Sequence, residues 1–181
     1  MNSLKNFIKW VNAFNDVTGR SVSWLTLVMA LVTFLIVILR YIFNIGWIWM
    51  QESVIYMHGM VFMVAGGYTL LQDQHVRIDI FYRPMDAKKK ALVNFFGVIF
   101  LLFPTCGIIL YFAYPYVRDS WRVLEGSKEA GGIPAVFLLK SIILVFPVLV
   151  GIQGLSQAAQ SILDFLEPSL SKADPPVEEN V

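Results

Sequence analysis

The chain has 181 residues, 57% of them hydrophobic and 15% charged, with a formal net charge of +1. A soluble domain of this length keeps too large a surface fraction to hide so much apolar surface in its own core, so the composition excludes a water-soluble globular protein. The near balance of 14 basic and 13 acidic residues gives no basis for a nucleic-acid partner, and the single cysteine, Cys106, excludes an internal disulfide, a CxxC redox pair or a thiolate metal site.

What remains is an all-α integral membrane protein. Its first element, residues 1–20, is predicted as an amphipathic interfacial helix. Leu4, Phe7, Ile8, Val11, Phe14 and Val17 share one face at helical spacing, while Lys5, Lys9, Asn12 and Asp16 fall elsewhere. Such a segment lies in the headgroup layer, with Trp10 as its anchor and the lysines toward anionic lipid. It does not read as a cleaved signal, because the apolar run starts late, is too long and has no small-residue cleavage site after it.

Residues 21–165 form one four-helix transmembrane domain, with spans at about 21–43, 50–71, 92–117 and 133–163. Each reaches the roughly 20 residues needed to cross the hydrocarbon, and in lipid only a helix satisfies its own backbone hydrogen bonds. The first run has no charge before Arg40, and the second opens with Glu52. Pro104 and Pro115 predict bends in the third. The fourth carries Lys140 near its start and has Asp164 just past its end. Residues 166–181, rich in prolines and acids, read as a disordered cytoplasmic tail that leads into no fused partner.

Orientation follows from basic residues in short loops. Lys5, Lys9 and Arg20 precede the first span, and Arg77, Arg83, Lys88, Lys89 and Lys90 follow the second. Both termini and the middle loop are therefore predicted to be cytoplasmic. The third loop, with Arg118, Arg122 and Lys128, is weaker counter-evidence.

Among polar residues Glu52 is the sharpest signal. A carboxylate inside a spanning helix costs about 2.5–3.5 kcal/mol on insertion scales and calls for a partner or a task. Trp47 and Trp49 place an interface a turn away, and Arg40 on the other arm of the hairpin is a candidate ion-pair partner, which favours a structural or subunit-contact role over ion transport. Tyr56 shares the face of Glu52. His58, six residues on, lies on a different face, so the two form no single relay, and it reads as a hydrogen-bonded histidine at a helix contact. Asp73, His75, Arg77 and Asp79 alternate after the second span. One histidine with an arginine in its midst argues against a metal site and for a salt-bridged cytoplasmic loop. The glycines of LEGSKEAGGIP have no phosphate-loop spacing and mark a turn. A bis-histidine haem, a thiol–quinone enzyme and a hydrolase each lack their residue sets, so no catalytic, metal or cofactor site is expected. The residues read as a membrane helical scaffold that binds other protein.

The stretch RYIFNIGWIWMQESVIYMHGMVFMVAGGYTLLQDQHVRIDIFY resembles the small membrane subunit of tripartite ATP-independent periplasmic (TRAP) transporters, the DctQ-type family. Arg40, Trp49, Glu52, Gly66, His75, Val76, Arg77 and Asp79 match its pattern in order and spacing. Ser127, Glu129, Gly132, Pro134, Lys140, Gln153 and Gly154 are similar to its third loop and fourth span. The resemblance covers roughly residues 20–163. It implies a bacterial inner-membrane importer in which a periplasmic substrate-binding protein captures a carboxylate-bearing solute. A large permease subunit then moves that solute by an elevator coupled to sodium, while the small subunit braces it. Arg40 and Glu52 would then fix the hairpin or contact the large subunit, and Ser127 to Pro134 would contribute to docking the binding protein. Two alternatives of other classes are an autonomous exporter using Glu52 as a proton-coupled carboxylate and a membrane anchor for a redox enzyme.

Overall fold

The lead-in and the first apolar run join into one element. α1, Asn2–Ile42, is a continuous helix of 41 residues, roughly 60 Å long and about twice the hydrocarbon thickness. The structure, a computed structural model, describes residues 2–75 and 82–166. α2, Ile48–Val64, meets α3, Gly66–Leu71, at Ala65. α4, Ala87–Gly97, passes through a π-helical turn, Val98–Leu102, into α5, Phe103–Arg122. α6, Val136–Leu166, closes the described chain. Among the described residues four stretches are long and apolar enough to cross a membrane: Asn2–Ile42, Ile48–Leu71, Ala87–Arg122 and Val136–Leu166. The expected all-α class with four spanning helices is what the protein adopts.

No break separates residue 20 from residue 21: the lead-in and the first span are one helix. Its apolar positions divide. Ile8 and Val11 are buried and Leu4 packs with Ile8 against Ala159 and Leu163 of α6, whereas Phe7, Phe14 and Val17 stay exposed and Trp10 stacks on Phe14. The stripe is wide enough to serve α6 on one side and leave an aromatic edge on the other.

α6 is the core. It packs against α1, α2, α3, α4 and α5, and eleven of its residues are buried against none on α2. Fully buried Pro147 lies inside it. Glycines allow the closest approaches. A Cβ on Gly66 would stand 2.6 Å from the Phe146 ring, and one on Gly67 would meet Asn15 Oδ1 and stand 3.2 Å from the Leu149 carbonyl oxygen.

The bend expected at Pro104 takes a specific form. Proline lacks an N–H and its ring clashes with the carbonyl four residues back. The chain widens into the π-turn Val98–Leu102 immediately before Pro104, where that carbonyl belongs to Phe100. Pro115 lies inside α5 without interrupting it.

Candidate functional site

The loop between α5 and α6 is short, polar and folded on itself. Leu124 at φ 47° and Gly131 at φ 81° take left-handed conformations that turn the backbone back. The Ser127 N–H donates to the Ile133 carbonyl (3.1 Å), Gly132 N–H to Glu129 (3.0 Å) and Phe137 N–H to Glu125 (3.2 Å). Two donors remain pointing toward α2, and Glu52 meets both. Its Oε2 accepts from the Ile133 N–H at 2.6 Å and its Oε1 accepts from the Ser127 hydroxyl, whose oxygen in turn accepts from the Glu129 N–H at 3.1 Å. The carboxylate is half-buried, and Gly132 admits it, because a Cβ there would stand 2.7 Å from Oε1 and collide with the Ser127 hydroxyl. Charge-assisted hydrogen bonds of this kind are about twice as strong as neutral ones. Two groups of residues that the sequence presented separately, the Glu52 hairpin and the 127–134 loop, are one site.

Arg40 is therefore corrected as the partner of Glu52. It is exposed on the last turn of α1, and no ion pair joins the two; both Glu52 oxygens are engaged by the α5–α6 loop. Trp49 is exposed and stacks with Trp47. The Tyr56 hydroxyl is buried and has no hydrogen-bond partner among the described residues. His58, expected to be hydrogen-bonded at a helix contact, is exposed and, among the described residues, its ring stacks on Phe62 and makes no hydrogen bond. The reason is rotational: Gly59 faces Leu139 of α6, and the preceding residue points about 100° away. Asp73 and His75 are exposed beyond α3, while Arg77 and Asp79 lie outside the described residues, as does the tail from residue 167. Among the described residues no group of three or more His, Cys, Asp or Glu is placed to hold a metal ion.

A second clamp holds the same loop to α6. Lys140 Nζ contacts Glu125 Oε2 at 2.5 Å and lies 4.0 Å above the Tyr116 ring. Beside it the Trp121 indole N–H donates to the Ser141 hydroxyl at 2.8 Å and the ring packs edge-on to Phe137. The hydrogen bond from Lys140 holds the Glu125 carboxyl below the ordinary glutamate value of 4.5. A depressed carboxyl stabilises the fold fully above its ordinary value and loses that contribution as pH falls through the lower folded value. The melting-temperature deficit of Lys140→Met relative to wild type is thus expected to be full at neutral pH and to shrink below about pH 4.5; a deficit that is constant with pH would contradict the clamp.

Sequence reasoning missed a third cluster. Gln153 Nε2 donates to Asn12 Oδ1 (3.1 Å), the Ser156 hydroxyl donates to the same oxygen (2.8 Å), and Asn15 Nδ2 donates to Gln153 Oε1 (2.9 Å). Asn15 is 1% exposed and Ser156 1%. The available signal was Asn12 with Asn15 and Gln153 with Ser156, each pair three residues apart and so on one helix face. Asn12, Gln153 and Ser156 also line a cavity of about 220 Å³ with Asp73 and Asp164, at the end where α1 begins.

A family model described as "Tripartite ATP-independent periplasmic transporters, DctQ component" matches residues 29–164, which is more than half of the chain. No curated protein and no solved structure matches.

Proposed function

Because the chain belongs to the DctQ component family of the tripartite ATP-independent periplasmic transporters, we propose that it is the small permease subunit of a sodium-coupled importer of organic acids. The family is one of transporter components and not of enzymes. In this reading the chain is a static brace for a large elevator subunit, and its α5–α6 loop helps to dock the periplasmic substrate-binding protein. The observation that carries the reading is the engagement of Glu52. The carboxylate best placed for ion coupling by a lone exporter instead holds Ser127 and Ile133. A group that must bind and release an ion each cycle would have to break those bonds each time.

The rest of the chain is consistent with a brace. Interhelical contacts are closed by locks at both ends, Glu52 and Lys140 at one and Asn12, Asn15 and Gln153 toward the other. The pinned loop presents Glu129 and Pro134 to solvent, a preformed surface for a partner that docks and leaves. Positive-inside bias from Lys5, Lys9, Arg20 and the Lys88–Lys90 run supports an inner-membrane protein with both termini cytoplasmic and this loop periplasmic.

Two measurements test the proposal. Mild detergent extraction is expected to recover the chain with a large multi-spanning subunit. Vesicles holding the chain alone are expected to accumulate no organic acid above empty vesicles. Solute transport by the lone chain that Glu52→Gln abolishes would replace the brace with the exporter.

A further inference from the structure

Four of the exposed residues of α2 are spaced for one stripe, while Trp49 and Met60 are exposed on the other side. Gln51, Ile55, His58 and Phe62 follow one another by four, three and four residues, all exposed, with Ile55 at 59% and Phe62 at 70%. α6 packs beside this stripe: Gly59 faces Leu139, about 100° round the helix from His58, and Gly66 at the start of α3 faces Phe146. Depth gives the stripe its meaning. His58 lies ten residues from Ile48 and thirteen from Leu71, the ends of the second span, roughly 15 and 20 Å along the axis. An imidazole is too short to reach either headgroup layer from there. Phe62 covers one ring face, and no hydrogen bond among the described residues reaches the two ring nitrogens. Hydrocarbon offers them nothing, and ionisable side chains at such depth face protein or a water-filled cavity.

The other outward faces differ in kind. Leu27, Leu31, Phe34 and Leu35 of α1 are apolar throughout. On α5 the exposed Ile108 and Phe112 lead to Tyr114, Tyr116 and Trp121 in the last turns, where an interfacial aromatic belt is expected. Those faces suit lipid.

We propose that the Gln51–Ile55–His58–Phe62 face of α2 seats a transmembrane helix of the transporter's large subunit, which presents a hydrogen-bonding side chain opposite His58. The inference rests on the small-subunit reading above and adds which face makes the contact.

The test is photo-crosslinking in membranes that contain both membrane components. A benzophenone amino acid is placed at Ile55 or Phe62, and for comparison at Leu31 of α1 or Phe112 of α5. Positions 55 and 62 are expected to trap the large subunit, with the adduct mapping to one of its spans, while 31 and 112 trap lipid. His58→Leu, which a lipid-facing position would tolerate, is expected to lower recovery of the large subunit about tenfold at unchanged levels of this chain. Large-subunit adducts from 31 or 112 alone, lipid alone at 55 and 62, a dimer of this chain at those positions, or full recovery with His58→Leu would each overturn the face assignment. In those cases the wild-type chain still co-purifies with the large subunit. Loss of that co-purification would instead overturn the small-subunit reading itself.

Discussion

Glu52→Ala is expected to free the α5–α6 loop, so that trypsin cleaves after Lys128 on the order of ten times faster in the detergent-solubilised protein than in wild type. The carboxylate accepts from the Ile133 N–H and the Ser127 hydroxyl, and each hydrogen bond to a charged group contributes about 1.5–3 kcal/mol. The site is half-buried, so about 2–4 kcal/mol is the expected total, or roughly 5–15 °C in melting temperature for a chain of this size. Alanine also leaves the Ile133 N–H without its acceptor. Glu52→Gln keeps a carbonyl for that N–H but loses the charge and sets an NH2 donor where Oε1 accepts from Ser127, so it is expected to fall between alanine and wild type. Were cleavage at Lys128 and melting both unchanged in the alanine variant, the loop would be held by its own turns and Glu52 would be idle.

The second large effect is expected from Gly67→Val. The new Cβ would collide with Asn15 Oδ1 and stand 3.2 Å from the backbone carbonyl of Leu149, and valine adds two methyl groups beyond it. Neither neighbour yields easily: Asn15 is buried and tied to Gln153, and Leu149 belongs to the central helix. α1 must then move off α6, which breaks the bonds of Asn12 and Asn15 to Gln153 and Ser156. Overpacking of this sort costs about 1–3 kcal/mol, and the lost buried hydrogen bonds add about 1 kcal/mol each. A cysteine pair at Ile8 and Ala159, which pack together, in a Cys106→Ser background reports the separation directly. Its oxidative crosslinking yield is expected to drop sharply with Gly67→Val and only partly with Gly67→Ala. An undiminished yield with valine would mean that the helices part elsewhere.

Much of the architecture was legible in the residues. Apolar run length fixes the number of spans because lipid leaves the backbone no partner but itself, and this holds whatever the neighbours are. The ordered motif from Arg40 through Gly154 pointed to the family that the match over residues 29–164 then showed. Periodicity also separated His58 from Glu52 correctly, since 100° per residue is a local fact. It could not say which of those faces would be covered. Arg40 looked like the partner of Glu52 because the two share a hairpin, yet the groups that bind the carboxylate come from Ser127 and Ile133, 75 and 81 residues away.

The sequence by itself determined the solvent of this protein, its four spans and its transporter family, because hydrophobic length and helical period are properties of contiguous residues. Only the tertiary structure decided that α1 runs unbroken from Asn2 to Ile42, that Glu52 locks a distant loop, that Asn12 and Asn15 grip α6, and that His58 faces outward at mid-depth. The last three of these depend on how one helix is rotated and slid against another. That choice is settled by packing contacts between residues as much as 144 positions apart, which no local pattern records.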